Sequence, residues 1–533
     1  MTFVATDAAS LNAAIVSANA NAGPDTISIE PPLPGNTITM TAANPQVTGQ
    51  ITVVGNASNP PTIVGPSVAA PIFQVVDATD DFEADNVKFV GQATSGSALT
   101  FVSSSGAVKL TGDTFSSFPH QAVEFLLQTG PVTITNSSFD HNESLVADAD
   151  GGAISGGSFG DVTITGSTFS HNTAGNHGGA IEFNAANSVN ISGSTFDTNS
   201  AGILGGAIGI TSLAADSTWT GNTFTGNTSA ATTSSTGGAA FYVGSVPNGV
   251  TFIVDRSTFT GNTAPAQPTS TFGAVGYFLS IGGTVHVLNS TMSGNHFTGV
   301  VPASKTGFGI DFAVLGVNAT GEFGVAQSTF DESGPGSDLV YVNTNTGFVR
   351  IASSTLIGPG VLIVSNNTNA AANAVELRDA IAISTSSATT IDVSDTPAVI
   401  SYSITSDIAK PQLVDLGSTQ FGVTDAQLGA LANNGGPTQT RLPLAGSPAI
   451  DTGDPTFTIP LTDQRGTGFA RIVNGRVDIG AVEAPAATAT TPVLSATGVD
   501  PTPTVWTATT ALATGALLLG ALLLTRRRRN TAQ

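Results

Sequence analysis

The 533-residue sequence predicts an all-β fold: a right-handed parallel β-helix with a short N-terminal capping helix, a C-terminal capping module and a single C-terminal transmembrane-type helix. Three observations predict this fold class. Two short motifs alternate along the chain at a period of about 27 residues, apolar and polar residues alternate by twos between the motifs, and one segment near the C-terminus carries no charge.

The first motif places asparagine three residues after an aromatic residue. It occurs as SSFDHN, STFSHN, STFDTN, NTFTGN and STFTGN, around Phe139, Phe169, Phe196, Phe224 and Phe259. The second motif is GGA followed by a small or apolar residue, and it occurs at residues 151–154, 178–181, 205–208 and 237–240. A motif pair repeated at this spacing predicts one coil of a solenoid per repeat.

Between the motifs, segments such as VTITNSSF and VNISGSTF place Val, Ile and Phe on one side and Thr, Asn or Ser on the other. This alternation predicts short strands with one buried face. A single coil cannot bury that face alone, whereas coils stacked at roughly 4.8 Å can. We therefore expect the phenylalanines to stack in the core, the asparagines to bond neighbouring coils from a turn, and the glycine pairs to permit a left-handed turn.

The alternating FxxN and GGAI motifs resemble the polymorphic outer membrane protein repeat and the wider class of bacterial β-helix surface proteins. Further on, the motifs NNGGPT, GSPAID, TDQRG and DIGAVE, within residues 433–483, resemble the choice-of-anchor Q domain. The resemblance implies a β-helix displayed outside the cell, followed by a capping module. Residues 7–29 resemble the start of such proteins, and Leu11, Ala14, Ile15 and Ala18 would line one face of a capping helix.

The sequence is divided accordingly into six parts. They are an N-terminal cap (1–25), parallel β-helix repeats (26–408), a choice-of-anchor Q-like module (409–483), a Pro/Thr/Ala-rich linker (484–503), a hydrophobic anchor helix (504–525) and a basic tail (526–533).

The C-terminal sequence predicts that the protein is attached to a membrane and indicates where its body lies. Residues 504–525 would form an uncharged helix of roughly 33 Å, and Arg526 to Arg529 follow it at once. We expect a cell-surface or extracellular body anchored by this segment, although no signal peptide is visible at the N-terminus. Either a true signal is missing from the sequence, or the protein is inserted by its tail with a cytoplasmic body.

Composition excludes several classes of protein. The chain has no Cys, which excludes a disulfide scaffold and a zinc–thiolate site. Its formal charge of −22 argues against nucleic acid as a partner, because nucleic-acid binding needs a basic surface.

Candidate catalytic groups are sparse. A polysaccharide lyase would need a base, for which Lys109 and Arg256 are nearly the only candidates in the repeats. A glycoside hydrolase would need two carboxylates, and Asp140 and Asp197 occupy one motif position two repeats apart, about 10 Å in ideal stacking. The alternative is that these aspartates are exposed turn residues. No catalytic or cofactor-binding residue is assigned.

Metal binding is predicted at one place and considered at others. Asp148 and Asp150 precede glycine in ADADGG, a pattern that can bind calcium in a turn; the alternative is a solvated loop. The same alternatives apply to the acidic segment at residues 77–85. His141 and His171 hold equivalent motif positions with His177 nearby, but the sequence supplies no clear third ligand. The module's charged residues indicate either a binding site or a buried polar network closing the solenoid: Asp451, Asp463, Arg465, Arg471 and Asp478.

These observations predict a cell-surface β-helix protein that acts in adhesion, in binding a glycan or surface protein, or as a structural stalk. The alternative is a surface-anchored polysaccharide lyase or glycoside hydrolase of the pectate-lyase-like β-helix type. The sequence favours a binding or structural protein over an enzyme because no catalytic constellation stands out.

Overall fold

The computed structural model describes residues 1–76, 79–145, 149–157, 159–230, 237–265, 273–298, 309–332, 338–367, 374–386, 389–395, 397–456 and 460–486. All elements below belong to one compact unit, Met1–Pro485.

The described strands form four parallel sheets, here named A to D, through which the chain winds coil after coil. Sheet A contains Thr2–Ala5, Asp25–Ile29, Ile51–Val54, Phe82–Asp85, Val108–Thr111, Val132–Thr135, Phe159–Thr165, Ala186–Ser192, Ser217–Thr220, Thr251–Asp255, Thr284–Leu288, Glu322–Ala326, Phe348–Ala352, Val375–Arg378, Ala398–Ser401 and Leu413–Gly417. Sheet B contains Thr37–Thr39, Thr62–Val64, Lys88–Val90, Thr114–Ser116, Ser138–Asp140, Thr168–Ser170, Thr195–Asp197, Thr223–Thr225, Thr258–Thr260, Thr291–Ser293, Thr329–Asp331, Thr355–Gly358, Ile381–Ser384, Ile404–Thr405 and Gln420–Phe421.

Sheet C contains Phe73–Val76, Leu99–Val102, Val123–Phe125, Ile154–Gly156, Ile181–Phe183, Ile208–Ser212, Phe241–Val246, Gly276–Ile281, Gly309–Val317, Asp338–Asn345, Ile363–Asn367 and Ile391–Asp395. Sheet D is the short one and contains Glu143–Ser144, Thr173–Ala174, Ser200–Ala201, Thr228–Ser229, Thr263–Pro265 and His296–Thr298. The prediction of a parallel β-helix is confirmed.

The N-terminal helix, Ala8–Ala20, follows the first strand of sheet A. Its four predicted face residues, Leu11, Ala14, Ile15 and Ala18, are all buried. Asp7 caps the helix, because its carboxylate accepts from the Ser10 N–H at 2.8 Å, while the Ser10 hydroxyl accepts from the Asp7 N–H.

The phenylalanines of the first motif stack in the core as expected. The five motif residues Phe139, Phe169, Phe196, Phe224 and Phe259 occupy matched positions of successive strands in sheet B, and Phe89 and Phe115 of the two preceding strands continue the stack without the motif asparagine. Neighbouring rings lie 4.7–4.9 Å apart with interplanar angles of at most 15°. The spacing of the coils thus sets the spacing of the rings.

The motif asparagines form a buried row of amides, here called the asparagine row: Asn142, Asn172, Asn199, Asn227, Asn262 and Asn295. Each Nδ2 before Asn295 donates to the Oδ1 of the next asparagine at 2.9–3.0 Å. Each Nδ2 also donates to a phenylalanine carbonyl of the preceding coil. At the far end, the Asn295 amide donates to the buried carboxyl groups of Asp311 and Glu332.

The glycine motif forms a left-handed turn before each sheet C strand. Gly151, Gly178 and Gly205 have φ of 67°, 61° and 66°. A Cβ on Gly178 would lie 2.1 Å from the Ile181 carbonyl oxygen, so no side chain fits. In the next coil the strand register pairs Ile208 with Phe241. The equivalent turn glycine is therefore Gly238, one residue later than the sequence motif indicated.

The segment after the last strand runs back along the outer side of sheet B. Its Gln464 amide donates to the Ser290 carbonyl, and Gln464 Oε1 accepts from the Thr329 hydroxyl at 2.6 Å. In the same segment, the Ala481 N–H donates to the Thr355 hydroxyl, and Asp454 pairs at 2.5 Å with Arg378 at the end of a sheet A strand. This segment therefore covers the side of several coils, in addition to following the last one.

One part of the predicted fold class is wrong. In the described part of the chain, no helix is long and apolar enough to cross a membrane. This finding overturns the C-terminal transmembrane-type helix of the predicted fold class. The segment to which it was assigned, residues 504–525, lies outside the described residues, as do residues 487–503 and the basic tail.

Candidate functional site

A row of polar side chains crosses the outer face of sheet C. Thr100, Glu124, Ser155 and Glu182 occupy matched positions of successive strands, and Gly209, Tyr242 and Tyr277 continue the row. Their strand neighbours, such as Ile181 and Phe183, belong to the core. Because side chains alternate between the faces of a strand, the row points away from that core.

The row opens into a pocket of about 320 Å³, here called the sheet C pocket. Two strand glutamates and several polar and apolar neighbours line it: Gln121, Glu124, Leu126, Asp150, Ser155, Glu182 and Asn184. Glu124 and Glu182 are two coils apart, or about 10 Å at the usual strand spacing. The Gln121 amide donates to the Ser155 hydroxyl at 3.0 Å and fixes one wall.

Glu182 is the most buried acid of the pocket. Its Oε1 accepts from the Thr211 hydroxyl at 3.4 Å, whereas its Oε2 is buried without a hydrogen-bond partner among the described residues. Burial, followed by the negative charge of Asp150, raises the pKa of Glu182 to about 8. At neutral pH this side chain is therefore a protonated carboxylic acid and can donate a hydrogen bond.

Gly209 in the next coil makes room for that acid. A Cβ at this position would lie 1.7 Å from Glu182 Oε2. The absence of a side chain at residue 209 thus allows the Glu182 carboxyl to lie across the following strand.

Asp150 stands on one side of Glu182 as an ionised neighbour. Its Oδ1 accepts from the Asn176 amide at 2.8 Å and from the His177 N–H at 3.1 Å, and His177 Nδ1 lies 3.3 Å away. Burial alone would raise the pKa of Asp150, but the bonds from His177 and Asn176 outweigh it and lower that pKa. The pocket therefore combines a neutral acid with a carboxylate.

On the other side, Tyr242 and Tyr277 stack with ring centroids 5.8 Å apart. Burial, and then the negative charge of Glu182, raises the pKa of Tyr242 to about 12. Its hydroxyl therefore stays protonated over the physiological range.

The predicted calcium pair is only partly described. Asp150 lines the pocket, but Asp148 lies outside the described residues, as does Asp77 of the acidic segment at 77–85. Calcium binding by Asp148 and Asp150 stays a prediction. Two other carboxylates of the acidic segment make hydrogen bonds within the β-helix. Asp81 accepts from the Ala107 N–H, and Asp85 accepts from the Asn86 side-chain amide.

The basic residues considered for a lyase lie elsewhere. Lys109 pairs with Glu83 at 2.6 Å on sheet A, and Arg256 pairs with Asp255 at 2.7 Å. Neither lines the sheet C pocket.

Asp140 and Asp197 lie in sheet B with Ser170 between them. Asp140 accepts from the Ser170 hydroxyl at 2.7 Å and contacts His141 and His171. His177, the third histidine, instead contacts Asp150.

The charged residues of the C-terminal module form a buried polar network. Arg465 donates to Asp463 and to the Glu483 carbonyl, and Arg471 lies 3.3 Å from Glu483 Oε1. Asp478 accepts from the Asp451 N–H at 2.7 Å. These contacts hold the C-terminal segment on itself and do not form an open site.

Sequence reasoning missed Glu124, Glu182, Tyr242 and Tyr277. A usable signal was present, because VEF at 123–125 and IEF at 181–183 each place a glutamate between two apolar residues of a strand. Such an acid between core residues faces outward on the same side as its equivalents in other coils.

Together, the stacked parallel sheets and the repeating turns define the class: the chain is a right-handed parallel β-helix protein. In agreement, the model of a family described as "Right handed beta helix region" matches residues 75–312. This match does not show the polymorphic outer membrane repeat or the choice-of-anchor Q domain, and both resemblances stay predictions.

Among solved structures, the chain is similar to a mannuronic acid specific polysaccharide family 6 lyase enzyme from human gut microbiota. The two share 9% sequence identity at a TM-score of 0.37, and the match covers 78% of this chain and 91% of the lyase. No curated protein sequence matches the chain.

Proposed function

We propose that the protein is a glycan-binding β-helix protein whose sheet C pocket holds a segment of a polysaccharide. The observation that carries the proposal is the row of carboxyl, hydroxyl and amide groups that opens into this pocket. Proteins recognise sugars through carboxyl, hydroxyl and amide side chains that are held in fixed positions. Side chains on the strands of a sheet are held in this way.

The charges of the pocket favour a neutral glycan. Its lining residues include no Lys or Arg, while Asp150 is ionised there. A uronic acid polymer would meet this carboxylate without a counter-charge. Protonated Glu182 can donate to a sugar hydroxyl, and Asp150 Oδ2 or Asn184 can accept from one.

The test is a glycan array with the full chain, followed by titration of any neutral glycan that binds. Asn184→Ala removes an exposed pocket amide and should weaken binding at least tenfold. Asn187→Ala removes an exposed amide that instead contacts Asp161 on sheet A, and it should leave binding unchanged. Equal affinity for both variants, or no neutral glycan bound, would contradict the proposal.

A second candidate function is glycoside hydrolysis. It is favoured by one observation, namely that two neighbouring acids in the pocket have pKa values displaced in opposite directions, as an acid and a base require. Glu182 would protonate the leaving oxygen and Asp150 would activate water. If product forms, Glu182→Gln should abolish turnover but keep glycan binding. If the parent protein forms no product, hydrolysis is contradicted and only the binding function remains.

A lyase is less well supported, because the pocket offers no basic side chain as a base and the Tyr242 phenol is hard to ionise. Cell-surface display, adhesion and a protein partner stay proposals. Protease treatment of intact cells tests the first of these, since a displayed body is cut and an internal one is protected.

A further inference from the structure

We propose that Asp140, His141 and His171 form a binding site for a divalent transition-metal ion of the zinc type. The site is independent of the sheet C pocket. It lies where two successive strands of sheet B, Ser138–Asp140 and Thr168–Ser170, leave the sheet.

The repeat itself brings the two imidazoles together. The register pairs Asp140 with Ser170, so His141 and His171 each follow a matched strand end. Both histidines have φ of 53°, and their rings stack with centroids 4.5 Å apart at 17°. Identical turns in adjacent coils therefore aim both side chains the same way.

The third ligand, which the sequence did not supply, is the carboxylate at the strand end. His141 Nδ1 lies 2.8 Å from Asp140 Oδ2, and His171 Nδ1 lies 3.3 Å from Asp140 Oδ1. The three ligand atoms all lie within 4.8 Å of one another. Two nitrogens and one oxygen that converge in this way match the donors that zinc, nickel and copper prefer.

The backbone supports a role for these histidines beyond the turn. In the following coils the same position is held by Thr198, Gly226, Gly261 and Gly294, again at positive φ. Glycine adopts this conformation without cost, whereas a residue with a Cβ does not. Two consecutive coils thus carry imidazoles at a position where the repeat otherwise turns mainly to glycine.

The site is open enough for an ion to enter. The side chains of His141 and His171 are 59% and 46% exposed, and that of Asp140 is 40% exposed. Three protein ligands leave further coordination positions to water or to a ligand from outside. Calcium and magnesium, which prefer all-oxygen ligands, are expected to be rejected.

The experiment uses the untagged full chain, titrated calorimetrically with zinc chloride and in parallel with calcium chloride. We expect one zinc ion per chain and no calcium bound by these residues. His171→Thr, which introduces the residue found in the next coil, should weaken zinc binding at least tenfold. Asp140→Asn should weaken it as well.

Two matched controls address two of the four histidines outside the proposed site. His177→Asn and His286→Asn remove imidazoles that contact Asp150 and Glu322, and they should leave zinc affinity unchanged. Copper provides a structural readout, because its electron spin resonance should show two nitrogen ligands in the parent and one in folded His171→Thr. Unchanged affinity in His171→Thr, loss of binding in a control variant, or no zinc binding by the parent would overturn the proposal.

Discussion

Removal of one amide from the middle of the asparagine row tests how the coils are held together. In Asn199→Ala, the Asn172 N–H and one Nδ2 hydrogen of Asn172 lose their acceptor, since both donate to Asn199 Oδ1 at 3.0 Å. The Phe169 carbonyl and Asn227 Oδ1 each lose one donor. Two orphaned buried donors cost about 1–3 kcal/mol each, and two acceptors that keep other chances of bonding cost less. We expect a loss of about 3–5 kcal/mol in the free energy of unfolding.

The assay is urea unfolding followed by tryptophan fluorescence. Trp219 is fully buried one coil away, and Trp506→Phe as a background removes the only other tryptophan. The matched control is Asn190→Ala on sheet A, whose side chain accepts from the Thr218 N–H near the surface. The control should cost less than about 1 kcal/mol. If both variants lose the same stability, the row does not bind the coils together as argued.

Three further predictions concern other parts of the fold. Because burial raises the pKa of Glu182 from 4.5 to about 8, the folded state keeps a proton that the unfolded state releases; the stability it contributes is complete below pH 4.5 and is lost as pH rises through about 8, by up to roughly 5 kcal/mol. In Glu182→Gln, the free energy of unfolding measured from pH 4 to 9 should decline less steeply with rising pH. If the decline is as steep as in the parent, other acids cause it and the argument for Glu182 is wrong. Gly178→Ala should cost well over 2 kcal/mol because of the 2.1 Å clash, whereas Gly193→Ala, with φ of 57° and open space, should cost about 1 kcal/mol, as thermal denaturation of the pair would show. Arg465→Ala should lower stability by about 3–5 kcal/mol and speed hydrogen exchange in the C-terminal segment without changing glycan affinity, and a change in affinity alone would instead indicate a binding role.

The sequence predicted the parts of the fold that repeat. Phe139, Phe169 and Phe196 recur in one local context, so a single rule about stacking places them all, and the same holds for Asn172 and Asn199. The rule failed where the repeat drifts. Gly237, which pairs with Leu204, made the glycine motif seem to begin one residue early, and only the pairing of Ile208 with Phe241 shows the register.

The candidate site could be predicted only in fragments. Asp150 was singled out for calcium, yet its role in the pocket depends on Glu182 and Asn176, one coil away. In the sequence, Glu124 and Glu182 look like ordinary outward-facing strand residues. Burial by the neighbouring coils raises the pKa values of both carboxyl groups, and the local sequence does not record that burial. The path of the C-terminal segment was also beyond reach, since Gln464 contacts Ser290 across 174 residues and no local pattern records that contact.

The asparagine row also has a direction, and this decides how the protein can change its length. Every amide in the row accepts from the coil before it and donates to the coil after it, so an additional asparagine coil inserted anywhere would replace one amide–amide bond with two. The row therefore sets no limit on its own number of repeats. The limit lies at the ends, where the Asn142 Oδ1 accepts from the Phe118 N–H and the Asn295 amide meets the carboxyl groups of Asp311 and Glu332. Duplication of the coils between Asn199 and Asn295 should thus yield a longer β-helix that keeps both terminal sets of contacts and leaves the pocket and the histidine pair unchanged.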